Sequence, residues 1–176
     1  MRESHSIDEV MCQKPKPNLK LAAEIYRVGL EKGYVEPKEI IAWADSVIAD
    51  SELPGIEIID VALGGDEKHV ELASRLSRIP GSVDQKELTN GILMQMASAI
   101  HRDPSLCRQI AFDLFQMYLE DNVPDDQSAG MMGWFDDAFD LAELGYSDTP
   151  VEAVRIELVR FLSRWGHPTL VHAPGG

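Results

Sequence analysis

The sequence predicts an all-α fold: a single compact domain of about eight helices, paired antiparallel and joined by short Pro/Gly loops. Apolar residues recur every three or four positions along most of the chain, as in amphipathic helices. The segments between these runs contain proline or glycine, and no two segments read as a pair of strands. A chain of 176 residues, with 44% hydrophobic and 26% charged residues, suits one globular domain.

Three regions divide the chain. Residues 1–17 are predicted to be a flexible leader that ends in KPKP, because proline disfavours a helical conformation in the residue before it. The helical domain is predicted over 18–166 and a tail over 167–176.

The first two predicted helices have clear boundary signals. The first covers about 19–32, where Asn18 can cap its start and Gly33 can end it. The second is EPKEIIAWADSVIAD (36–50), with Pro37 in its first turn, where the missing N–H leaves no hydrogen bond unmade.

The third and fourth segments are shorter. IEIIDVALGG (56–65) contains a strand-like run, but the Pro-Gly before it and the Gly-Gly after it favour a short buried helix. In DEKHVELASRLSRIPG (66–81), acids near the start and arginines near the end match a helix dipole and predict the fourth helix.

The fifth and sixth helices are predicted on either side of Pro104. An apolar stripe over about 84–102 indicates the longest helix of the chain. Pro104 breaks it, and PSLCRQIAFDLFQMYLED (104–121) continues as a sixth amphipathic helix.

Hydroxyl side chains are predicted to cap the last two helices. The seventh is expected over 128–144, with Ser128 as its cap and Gly145 as its end. The eighth, over 150–165, is expected to have Thr149 as its cap and proline in the first position.

Composition limits the partners of the chain. The net charge of −14 repels nucleic-acid phosphate and anionic membrane surfaces, so a macromolecular partner is expected to be basic; alternatively, the charge serves solubility alone. Cys12 and Cys107 form no metal or disulfide pattern and suit a reducing compartment. Without a signal-peptide core or an apolar run of membrane-spanning length, we expect a cytoplasmic protein.

Common catalytic and cofactor motifs are absent from the sequence. It contains no GxxxxGK[ST] phosphate loop, no GxSxG, no HExxH and no CxxC. The acidic stretch DNVPDDQSAG (121–130) lacks the ligand spacing of an EF-hand calcium loop. The helices lack the basic face of a DNA-reading helix. We therefore expect a protein that is not an enzyme and carries no metal or cofactor.

Negative charge is concentrated in the third quarter of the chain. The 46 residues between Arg108 and Arg155 contain eleven acidic side chains, seven of the twelve aromatic ones, and no lysine, arginine or histidine. On the seventh predicted helix, acids share one face, while Phe135 and Phe139 lie on the opposite, apolar side. Trp134 falls at the boundary and is expected to be half exposed. The candidate partner-binding residues are Asp121, Asp125, Asp126, Trp134, Asp136, Asp137, Asp140 and Glu143.

Three explanations of this acidic region stay open. It is a solvated face neutralised by other helices, such as by Arg155, Arg160 and Arg164 on the eighth. Alternatively, it is a docking surface on which charge speeds encounter with a basic partner and aromatic side chains supply buried contact. The third explanation is a carboxylate metal or acid–base site; such sites in helical bundles face inward, whereas these acids are predicted to face outward.

The leading functional hypothesis is a non-enzymatic acidic binding protein, such as an inhibitor that masks a basic protein partner. In this general character the chain is similar to bacterial immunity proteins that neutralise nuclease toxins, although no motif carries the likeness. The alternative is a helical scaffold or regulatory domain that forms homo-oligomers. Adaptable methionines favour that alternative, unless they belong to the ordinary core: Met94, Met96, Met131 and Met132.

Overall fold

The computed structural model describes residues 18–166, all of whose regular elements are helical. The predicted leader 1–17 and tail 167–176 lie outside the described residues. The all-α prediction is confirmed, with eight helices packed in one compact domain. Over the described range, none of the helices is both long enough and apolar enough to cross a membrane. The helices are α1 Leu19–Lys32, α2 Pro37–Ala49, α3 Ile56–Ala62, α4 His69–Ser77, α5 Gln85–Arg102, α6 Cys107–Leu119, α7 Asp126–Glu143 and α8 Val151–Leu162.

Several helix boundaries follow the predicted signals. The side chain of Asn18 accepts a hydrogen bond from the Leu21 N–H at 3.1 Å, and Gly33 ends α1 in the left-handed conformation at φ 75°. The segment with a strand-like run forms α3, which begins directly after Gly55. Short 3₁₀ turns follow α5 and α8, at Pro104–Leu106 and Ser163–Trp165.

Two predicted caps are wrong. Ser128 lies inside α7, fully buried, and the cap is Asp125, whose carboxylate accepts hydrogen bonds from both the N–H and the hydroxyl of Ser128. The carboxylate is the stronger acceptor, which explains why the helix starts earlier than predicted. Thr149 also lies outside α8, because Pro150 has the extended conformation and occupies the cap position.

The interior contains two clusters of buried apolar side chains. The first cluster joins α1–α4: Ala23, Leu30, Val35, Ile40, Ala44, Ile58, Val61, Leu72, Ala73, Leu76 and Ile79. The second is built mainly by α5–α8: Tyr34, Leu93, Met96, Ala97, Ala99, Ile100, Ile110, Ala111, Leu114, Met132, Phe135, Ala138, Phe139, Val154, Leu158, Phe161 and Leu162. Two of the four singled-out methionines, Met96 and Met132, are therefore ordinary core.

Tyr34, in the loop after α1, connects the helices of the first cluster with those of the second. Its ring belongs to the second cluster, and its hydroxyl donates to the buried carboxylate of Asp113 on α6. Lys32 also donates to Asp113, at 2.7 Å. Arg102 at the end of α5 donates to the Tyr34 carbonyl and pairs with Glu39 on α2. These contacts fix α6, and with it the acidic region, relative to α1.

Candidate functional site

Most of the predicted site residues lie on the hairpin of α6 and α7. The loop between the two helices is short, so the helices run antiparallel and in contact. Gly133 permits close approach, because a Cβ there would lie 3.1 Å from ring carbons of Tyr118. Near the other end of the hairpin, Arg108 reaches the last turns of α7. The register places the start of α6 opposite the end of α7.

Arg108 neutralises part of the acidic face. Its guanidinium lies 2.5 Å from Asp140, and 3.5 Å from both Asp136 and Glu143. The same group lies over the ring of Phe139, 5.4 Å from its centroid. One cation from α6 therefore faces three carboxylates of α7, which removes part of the repulsion between neighbouring acids on one helix.

The arginines expected to relieve α7 act mainly elsewhere. Arg155 pairs with Glu152, and Arg160 pairs with Glu157, one turn away on α8 itself. Of the three arginines named for the solvated-face explanation, these two therefore pair on α8 and not with the acids of α7. The third, Arg164 just after the end of α8, does reach a predicted site residue, since its guanidinium lies 3.9 Å from Asp125. Short local pairs form readily on a helix, where partners three or four residues apart are neighbours.

Burial and crowding act on the carboxyl group of Asp136. Burial raises the pKa of Asp136, Arg108 opposes this effect, and the charges of Asp140 and Asp137 raise it further. Asp125 shows the reverse. Its hydrogen bond from the Ser128 backbone lowers the pKa of the Asp125 carboxyl, as expected for a carboxylate that caps a helix.

The remaining predicted acids are exposed. Asp121 follows α6 with a left-handed backbone at φ 59°, where the Asn122 N–H bonds to the Met117 carbonyl at 2.8 Å. Asp126 and Asp137 lie on the outer side of α7, and no ion pair joins either of them to a basic group within 18–166.

Exposed apolar side chains accompany these acids. Trp134 is 42% exposed, in line with its predicted boundary position, while Phe135 and Phe139 are fully buried. Leu141 lies two turns after Trp134 on the same side of α7, and Phe112 and Leu119 are exposed on α6. We call this region the α6–α7 surface, defined by the apolar Phe112, Leu119, Trp134 and Leu141 with the acidic Asp121, Asp126 and Asp137.

Sequence reasoning missed Arg108 as part of the site. The signal was present, because a hairpin of two helices brings residues at equal distances from the loop close together. With the loop centred near residue 122, position 108 falls opposite about position 136. Around the three acids that it contacts, and elsewhere in the described helices, no group of three or more His, Cys, Asp or Glu side chains is placed to hold a metal.

Comparison with other proteins adds no assignment. No family model, curated protein or solved structure matches the chain.

Proposed function

We propose that the protein is a non-enzymatic binding protein that holds a basic protein partner on its α6–α7 surface. The observation that carries the proposal is Trp134, 42% exposed on a helix whose outer acids, Asp126 and Asp137, have no basic partner among the described residues. A large amphipathic ring is a typical centre for a protein interface, and acidic side chains beside it suit the polar rim that attracts a basic partner.

The electrostatics of α7 support this surface. Across the seven predicted acids, Arg108 and Arg164 are the cations in contact, so the formal charge of the group is −5. Arg108 neutralises part of the side that faces α6, whereas no basic group among the described residues forms an ion pair with Asp126 or Asp137 on the outer side. A basic partner would be drawn towards the exposed apolar side chains, which supply the contact area that charge alone does not.

Affinity capture with matched charge reversals tests the proposal. The double variant Asp126→Lys/Asp137→Lys reverses charge on the α6–α7 surface. The control, Asp45→Lys/Asp50→Lys, makes the same change in net charge at exposed residues of α2 and its end. A partner captured stoichiometrically by the wild type is purified, and its affinity is measured by calorimetry at low and at moderate salt.

The expected result has three parts. The wild type and the α2 control bind the partner equally, and higher salt weakens both. The α6–α7 reversal loses at least tenfold in affinity. Trp134→Ala loses about 2 kcal/mol or more, roughly thirtyfold, mainly through faster dissociation. Failure to capture a stoichiometric basic protein, or equal loss in both reversals, would overturn the proposal.

A second candidate function is self-association through α3. Leu53, Ile56 and Leu63 are 92%, 69% and 73% exposed; Ile56 is the first residue of α3, and Leu63 follows its end two turns later on the same side. An apolar face of this kind fits a second copy of the chain. Sedimentation of the wild type and of Ile56→Glu/Leu63→Glu distinguishes the candidates, because a dimer lost in this variant but kept in the α6–α7 reversal favours the scaffold.

A further inference from the structure

A polar cavity separate from the α6–α7 surface lies between α1, α5 and α6. Its volume is about 280 Å³. Small-molecule sites usually begin at about 300 Å³, so a molecule held in this cavity has to be small. None of the residues that define the α6–α7 surface lines the cavity.

One hydrogen bond fixes the register of the two helices that form most of the wall. The amide of Gln85, at the start of α5, donates to the side-chain oxygen of Asn122, just after the end of α6, at 3.1 Å. The helices are therefore antiparallel, and the exposed residues Gln85 and Glu120 mark the mouth of the cavity. One turn further in, Thr89 of α5 and Gln116 of α6 lie at corresponding levels, and both line the cavity.

Thr89 carries an unpaired hydroxyl at this level. The residue is 2% exposed, and no hydrogen bond joins its hydroxyl to another described residue. Among the described residues, Oε1 of Gln95 is the only side-chain polar atom that is both fully enclosed and unpaired, so the Thr89 hydroxyl opens onto the cavity that the residue lines. A buried polar group without a hydrogen bond destabilises a fold, and an apolar residue at this position would avoid that loss. The hydroxyl therefore points to a ligand.

Gln116 and Glu120 add two further acceptors on α6. No hydrogen bond joins the half-buried side chain of Gln116 to another described residue, and no basic group within 18–166 forms an ion pair with Glu120. The two residues are four apart on one helix, so their side chains are neighbours. Together with Thr89, they present three oxygen acceptors within about one helical turn, roughly 5.4 Å.

The charges of the lining favour a cation. Lys32 and the buried Asp113 pair at 2.7 Å and cancel, while Tyr34 donates to the same carboxylate. Glu120 is the remaining charged residue of the lining, so the formal charge around the cavity is −1. An anion would be repelled by Glu120, and a neutral molecule would leave this carboxylate without a counter-charge. An ammonium group, with three donors and no acceptor, matches the three acceptors.

We propose that this cavity binds a primary aliphatic amine as its ammonium ion. The ammonium donates to the hydroxyl oxygen of Thr89, the side-chain oxygen of Gln116 and the carboxylate of Glu120. Its short carbon chain lies against Ile92 and Met117, which belong to the apolar part of the lining, and burial of the chain stabilises the complex.

Three probes of nearly equal length test this proposal: butan-1-amine, butan-1-ol and butanoate. Each is titrated into the ¹⁵N-labelled full chain at pH 7, where an alkylamine is protonated, and backbone amide signals are followed. We expect butan-1-amine to shift the signals of Thr89, Ile92 and Gln116 with an affinity about tenfold higher than that of butan-1-ol, because a hydrogen bond from a charged donor to a carboxylate is the stronger one. Butanoate is expected not to bind.

Glu120→Gln provides the matched variant, since it removes the charge and keeps an acceptor for Asn122. Its affinity for butan-1-amine is expected to fall about tenfold, to that of butan-1-ol, whose own affinity stays unchanged. Glu52→Gln makes the same change in net charge at an exposed residue after α2 and serves as the control. It should change neither affinity.

Thr89→Val keeps the shape of the side chain and removes the hydroxyl. The variant is expected to lose about threefold in affinity for butan-1-amine, because one hydrogen bond to the ammonium is gone. Without probe, its melting temperature is expected to equal or exceed that of the wild type, since an unpaired buried group is removed.

A further probe distinguishes a free amine from a lysine side chain of a protein. Nα-acetyl-lysine methylamide carries the same butylammonium group on a peptide backbone. Affinity equal to that of butan-1-amine would identify a lysine side chain as the ligand, whereas weaker binding would identify a free amine; both results support an ammonium site. No basic partner protein is present in these titrations, so they do not depend on the function proposed for the α6–α7 surface.

Contrary outcomes are equally distinct. Equal affinity for butan-1-amine and butan-1-ol, tighter binding of butanoate, no shift with any probe, or an equal loss in Glu120→Gln and Glu52→Gln would overturn the proposal. A lower melting temperature of Thr89→Val would also overturn it, since the hydroxyl would then be a structural group with a partner of its own.

Discussion

Arg108 on α6 and Asp140 on α7 form an ion pair of 2.5 Å across the hairpin, and Asp136 and Glu143 surround the same guanidinium. The charge on this side of α7 therefore depends in part on a cation of α6.

Replacement of Arg108 by methionine is expected to lower the free energy of unfolding by about 1–2 kcal/mol, because three carboxylates lose their shared cation and Phe139 loses a cation–π contact. Urea denaturation measures the change. Arg160→Met is the control, since Arg160 contacts Glu157 alone and is more exposed. Added salt should reduce the difference in the free energy of unfolding between Arg108→Met and the wild type. A difference that salt leaves unchanged would contradict the electrostatic explanation.

Asp136→Asn is expected to keep or raise stability at pH 7. Because burial raises the pKa of Asp136, the folded state holds this proton more tightly than the unfolded state does. Ionisation of the group therefore costs stability as pH rises, and this loss is relieved as pH falls through the raised pKa. Urea titrations from pH 3 to 7 should show that the free energy of unfolding of the wild type approaches that of Asp136→Asn at low pH. A constant difference between the two proteins over this range would contradict the prediction.

Asp125→Ala is expected to lower the melting temperature, because α7 loses the cap that accepts the N–H and hydroxyl of Ser128. Asp125→Asn keeps an acceptor and should retain more of the stability. The pKa of Asp125 is lowered, so the charged cap contributes above the ordinary aspartate value of about 3.9 and is lost as pH falls below it. Thermal melts of Asp125→Ala and the wild type at pH 7 and pH 2.5 measure the difference in melting temperature. An equal decrease at both pH values would contradict a contribution from the charged cap.

Tyr34→Phe is expected to lower the free energy of unfolding by about 1–3 kcal/mol, since buried Asp113 loses a donor. Tyr118→Phe, at an exposed position, is the control. Burial and Asp113 raise the pKa of Tyr34, so its contribution is intact below the ordinary tyrosine value of about 10 and declines above it. Urea denaturation from pH 8 to 11 should show that the difference in the free energy of unfolding between Tyr34→Phe and the wild type decreases as the pH rises.

The sequence predicted the features that depend on local chemistry. Asn18 and Gly33 define the ends of α1, because a cap or a left-handed residue acts on its own neighbours. The prediction of Ser128 as the cap of α7 was wrong because Asp125, three residues earlier, offers a stronger acceptor to the same helix start. Arg108 was missed because its partners are about 30 residues away, and only the helix hairpin brings them together. The close packing of the Gln95 side chain of α5 on Gly29 of α1 has no signal in the local sequence of either helix.

The two apolar clusters have a consequence for how the molecule opens. The two clusters are joined by Tyr34 and by contacts of α1 with α5. Because most buried contacts lie within one cluster, each cluster is a natural unit of cooperative, partial unfolding. The short helices α3 and α4 belong to the first unit, whereas α6 and α7 belong to the second. We therefore expect fluctuations that expose the interior of the first unit to leave Trp134 and its acidic neighbours in place. The proposed binding face would then keep its structure during partial unfolding of α1–α4.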